Sequence, residues 1–114
     1  MRRIVPFLPI IALLLPGEAF AHAHLKSSSP VDGGVLTTDA KEIVLTFDAL
    51  INEATCSAAD ASGAKASGLG MATLAREHVH VPLSGVLKAG PYVLTCKVKS
   101  DRHETDHTLK FTVP

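Results

Sequence analysis

This chain is poor in the large aromatic residues that usually fill a core. It has no tryptophan, one tyrosine and four phenylalanines in 114 residues. A core built from it must rest on leucine, valine and isoleucine. It has no excess charge of either sign: eleven Lys and Arg balance eleven Asp and Glu. That balance gives no electrostatic reason to expect nucleic acid or an anionic membrane as a partner. It has only two cysteines, Cys56 and Cys96, too few for a disulfide-framework miniprotein. It lacks a Gly-x-Ser-x-Gly nucleophile elbow, a glycine loop followed by Lys for phosphate, and a His-Glu-x-x-His or Cys-x-x-Cys zinc motif. No hydrolase or nucleotide-binding constellation emerges.

What is present begins with a leader. Arg2 and Arg3 form a charged start, Ile4 to Leu15 is apolar, and Ala19-Phe20-Ala21 places small residues at −3 and −1 of a cut. Pro6 and Pro9 break the apolar run, which is too short for a good transmembrane helix. Residues 1–21 are therefore expected to be a cleaved secretory signal, and residues 22–114 one small domain. The mature chain is not expected to insert into a membrane. Cleavage shifts the charge balance from zero to one net negative charge, and all six histidines stay in the mature part. A rival cut after Ala23 would make His24 the first residue. In an oxidising compartment an even cysteine pair predicts a disulfide closing a loop of about 40 residues. The rivals are two buried thiols or a soft Cu(I) pair.

The mature chain reads as short strands divided by turns. Ser27 to Gly34 carries Pro and paired Gly. Glu42 to Phe47 alternates, with Ile43, Leu45 and Phe47 on one face. A short strand is expected about Cys56, followed by a flexible hairpin rich in Ala, Ser and Gly. His78 to Val81 predicts a strand stopped by Pro82. Tyr92 to Lys99 alternates, and Thr108 to Val113 closes the chain. No amphipathic helix stands out. The pattern predicts an all-β fold, an antiparallel β-sandwich.

Two separated signals carry the chemistry. Cleavage after Ala21 makes His22 the first residue, with a free α-amine and an imidazole as nitrogen donors. Asp101 and His103 stand two apart and share a face if that segment is extended. Cu(II) prefers tetragonal nitrogen and oxygen donors. A domain that joins its ends would supply them from His22, His103 and Asp101, unless Asp101 only orients an imidazole. His107 is a further candidate outer ligand. His78-x-His80 reads as an exposed strand face, and Met71 as loop or core packing.

These residues resemble a family. His22-Ala23-His24-Leu25, Ser28-Ser29-Pro30 and Gly33 resemble the mature start of CopC-type periplasmic copper-binding proteins. So do Ile43-x-Leu45-x-Phe47 and Leu87-Lys88-Ala89-Gly90-Pro91-Tyr92 leading to Ser100-Asp101-x-His103. The resemblance implies a Greek-key β-sandwich or barrel of cupredoxin-like or immunoglobulin-like shape. It implies a non-enzymatic, periplasmic Cu(II) carrier for copper resistance, trafficking or delivery. Its metal ligands would be His22, Asp101 and His103, and its partner a membrane copper importer or a copper carrier protein. The alternatives are a copper monooxygenase with an N-terminal histidine, or a metal-free structural sandwich. The chain departs from the family in three places. The Met-rich loop is reduced to Met71, which favours a Cu(II)-only binder. Ala49 stands where the family often has an acid, and the neighbouring Asp48 would face the other way in a regular strand. Cys96 stands where the family often has a core aromatic, with Cys56 expected to reach it across the sandwich.

Overall fold

The computed structural model describes residues 23–114. Eight strands follow in chain order: β1 (Leu25–Ser29), β2 (Gly34–Val35), β3 (Glu42–Phe47), β4 (Glu53–Asp60), β5 (Thr73–Ala75), β6 (His78–Pro82), β7 (Gly90–Ser100) and β8 (His103–Val113). They form two four-stranded sheets, ordered β1-β3-β6-β5 and β2-β8-β7-β4. No helix occurs among the described residues. The result is a Greek-key β-sandwich, antiparallel except where short β2 runs parallel to β8.

Alternation decides which faces meet. In β3, Ile43, Leu45 and Phe47 are buried between the sheets; in β7, Tyr92, Leu94, Cys96 and Val98 are. In β8, Leu109, Phe111 and Val113 complete the layer. Burying each aliphatic or aromatic side chain contributes roughly 1.5–3 kcal/mol before entropy is counted. The three aromatics of the described chain make two separate ring contacts. Tyr92 stacks on Phe111 with ring centroids 5.5 Å apart, and its hydroxyl donates to the Lys88 carbonyl. Phe47 instead meets the ring of His107, edge-on at 4.9 Å.

Several strand limits differ from the sequence pattern. Pro82 does not stop β6 but closes it, opposite Glu42, where a strand end needs no further amide donor. The last strand starts at His103 rather than Thr108 and pairs with β7 along its whole length. Asp101 is not on an extended segment: it turns the chain between β7 and β8, with φ at 60°. Aspartate tolerates this left-handed conformation better than most residues. The alternation argument that put Asp101 and His103 on one strand face therefore does not apply.

The cysteines are bonded, but not between the sheets as expected. Cys56 on β4 lies directly opposite Cys96 on β7, in the same sheet, with Cα atoms 4.1 Å apart. Antiparallel neighbours already bring Cα atoms to about 4.5 Å. The bond therefore joins adjacent strands rather than stapling the two layers.

Candidate metal centre

The β3–β4 loop, residues 48–52, organises one end of the sandwich. At its start Asp48 holds the segment leading into β1. The His24 amide donates to Asp48 Oδ1 at 2.8 Å, and His24 Nδ1 lies 3.1 Å from Oδ2. The Asp48 amide donates back to the His24 carbonyl at 3.0 Å. The amide bond from His24, with help from its imidazole, draws the Asp48 carboxyl below the usual range; partial desolvation opposes this.

The far end of the same loop holds the β7–β8 turn. Ser100 Oγ donates to the Leu50 carbonyl at 2.8 Å, and the Asn52 amide donates to the Lys99 carbonyl at 2.7 Å. The Asp101 amide donates to Asn52 Oδ1 at 2.6 Å. Ser100 is the buried polar residue of the described chain, and its bond to Leu50 offsets the cost of burial. Its partner in register is His103, across the two-residue turn Asp101-Arg102.

One loop thus brings the N-terminal segment and the Asp101-x-His103 turn to one end of the molecule. Asp101 and His103 are both exposed there. His22 lies outside the described residues, as do the expected leader and the expected cut after Ala21. Among the described residues, no three His, Cys, Asp or Glu side chains converge closely enough to hold a metal ion. Of the expected ligands, the described chain contains two, Asp101 and His103.

His107 lies one layer further in. It is half-buried, and Nε2 is 2.9 Å from Thr105 Oγ1. Burial is the main cause of its lowered pKa; Asp106 opposes the shift and His24 reinforces it. His107 is therefore a neutral imidazole at pH 7, the form that binds metals.

The other candidates lie apart from this end or away from the core. His78 and His80 project from the outer face of the β1-β3-β6-β5 sheet, with ring centroids 6.3 Å apart. Thr46 and Glu77 engage His78, and Glu42 engages His80. Met71 is 85% exposed, so it is a loop residue and not core packing. Sequence reasoning missed Asp48 as the anchor of the N-terminal segment. The contact joins positions 24 residues apart in irregular backbone, where no periodicity signals it.

Comparison with known proteins places this architecture. The CopC domain model matches residues 25–114. The fold is similar to the crystal structure of CopC from Methylosinus trichosporium OB3b, with a TM-score of 0.71 and 22% identity over 81% of this chain and 93% of that one. It is also similar to PcoC, described as a methionine-rich copper resistance protein from Escherichia coli, with a TM-score of 0.68 and 21% identity over 82% of this chain and 100% of that one. Among curated proteins, no sequence relative is found.

Proposed function

The chain belongs to the CopC family, and on that premise we propose that it is a copper resistance protein that binds Cu(II) in the periplasm. Its work is capture and delivery rather than catalysis. After removal of residues 1–21, the His22 amine and imidazole, the His103 imidazole and the Asp101 carboxylate form the binding set. Such nitrogen and oxygen donors suit Cu(II). A membrane importer or a second copper carrier receives the ion.

The observation that carries this reading is the role of the 48–52 loop. It ties His24 through Asp48 and the Asp101 turn through Asn52 and Leu50. The loop therefore restrains the residue two after His22 in sequence and the turn that carries Asp101. Holding ligands in place before metal arrives reduces the ordering cost of binding.

Asp101 acts either as an oxygen ligand or by orienting an imidazole, and substitution separates the two. The test is Cu(II) titration, followed by EPR, of protein whose His22 N-terminus is verified by mass spectrometry. The expected result is one Cu(II) per chain with nitrogen hyperfine structure, lost in His103→Ala. Copper binding unaffected by His103→Ala would overturn the assignment.

A further inference from the structure

The disulfide is part of a longer row. Cys56 on β4, Cys96 on β7 and His107 on β8 are consecutive partners across the sheet. Cys96 is fully buried on the inward face, and Cys56 is half-buried. The bond requires both sulfurs to lie on one side of the sheet, and His107 turns inward toward Phe47. Directly opposed residues on one sheet face have Cβ atoms about 4.5–5.5 Å apart. Two cysteines and a histidine are thus consecutive in register; with the sulfurs bonded to each other they do not converge on a metal position, and only reduction would free them to turn toward the imidazole.

We propose that reduction of Cys56–Cys96 converts this row into a Cu(I) site formed by the two thiolates and the His107 imidazole. The chemistry of the donors selects the metal. Thiolates are soft and favour Cu(I), whereas the N-terminal set of nitrogen and oxygen donors favours Cu(II). Oxidised, the sulfurs are bonded to each other and are not thiolate ligands. The disulfide therefore decides whether the protein offers a soft site at all.

The reductant is an external dithiol. Its thiolate attacks Sγ of Cys56, the less buried of the two residues; the Sγ–Sγ bond breaks and Cys96 leaves as a thiolate. The second thiol of the reductant then displaces Cys56, and the reductant departs as a disulfide, two electrons poorer. Cu(I) replaces the protons that the two thiols would otherwise hold. No metal oxidation or reduction is needed. His107 is suited to the third position because it is already neutral at pH 7. Thr105 holds Nε2, so the proposal gives the other ring nitrogen to copper.

The geometry also fixes the relation of the two sites. His107 is next to Cys96 through the sheet and four residues after His103 on β8. A soft site here would share that strand with one proposed ligand of the hard site. This inference does not require His22, Asp101 or His103 to bind copper, so either assignment can fail without the other.

The test is anaerobic Cu(I) titration against a coloured chelator. One sample is the oxidised protein; the other is treated with dithiothreitol and then freed of it. The expected result is uptake of one Cu(I) per chain by the reduced sample only, with an ultraviolet thiolate-to-copper band. X-ray absorption should show two sulfurs and one nitrogen. Cys56→Ser should abolish the uptake, and His107→Phe should remove the nitrogen from the absorption spectrum. Equal uptake by oxidised and reduced protein, or coordination without sulfur, overturns the proposal. If reduction unfolds the chain, recovery of the β-sheet circular dichroism on adding Cu(I) supports it, and no recovery overturns it.

Discussion

His24 and Asp48 are joined by three contacts: two backbone amides, one from each residue, and an imidazole–carboxylate pair. The pair closes the end of the sandwich at which β1 begins. It acts on the segment that carries His22, so its effect on metal binding is indirect. Asp48→Ala removes the acceptor for the His24 amide and its ring. The expected outcome is faster hydrogen exchange at the His24 amide, weaker Cu(II) binding and an unchanged fold. Asp48→Asn, which keeps one oxygen acceptor, should restore part of both. An unaltered exchange rate in Asp48→Ala would show that the clamp does not order the segment.

Much of this architecture was legible in the sequence because burial imposes a period of two. Ile43, Leu45 and Phe47 announced β3, and Tyr92, Leu94, Cys96 and Val98 announced β7. The disulfide partners were legible from count and compartment, but their placement was not. Alternation assigns Cys96 to the inner face without saying which strand lies beside it. The early part of β8 was missed because His103 to His107 is polar and only partly covered, so its pattern is faint. At the candidate site, the Asp101-x-His103 pair could be read but its turn could not. The turn closes where Ser100 pairs with His103, and it is held from afar by Leu50 and Asn52, contacts that no local pattern announces.

Acid should destabilise the protein through three groups with the same sign. Asp48, Asp60 and His107 all have lowered pKa values in the fold, so the unfolded chain binds protons more readily at each. The His107 contribution is complete above the unfolded histidine value of about 6.5 and is lost as pH falls through the folded value. The Asp48 and Asp60 contributions are complete above the ordinary carboxylate range and are lost at lower pH. Melting temperature should therefore fall in two stages on acidification. His107→Phe should flatten the upper stage and leave the lower one.

The ligand set makes a graded prediction. One extra residue before His22 turns its amine into an amide, which has no basic lone pair, and should weaken Cu(II) binding. Asp101→Asn should alter the EPR spectrum as much as His103→Ala if Asp101 coordinates, and less if it only orients a ligand. His78→Ala and His80→Ala should leave the spectrum unchanged, because both rings lie on the outer face of the other sheet. A spectrum that responds to His78 or His80 but not to His103 would move the site to that face.

Loss of the disulfide should cost stability without touching the Cu(II) site. The bond spans 40 residues, which in the chain-entropy model is worth roughly 4 kcal/mol. Cys96 also fills fully buried space, so Cys96→Ala adds a cavity cost, whereas Cys96→Val refills it. Chemical denaturation should therefore rank the oxidised wild type first, Cys96→Val second and Cys96→Ala last. Thiol counting on denatured, unreduced wild type should give no free thiol. The Cu(II) spectrum of each folded variant should match the wild type, because a disulfide sulfur is not a thiolate ligand and the proposed Cu(II) donors are nitrogen and oxygen. A changed spectrum in Cys96→Val would mean that the row running through Cys96 to His107 reaches the Cu(II) site even when oxidised.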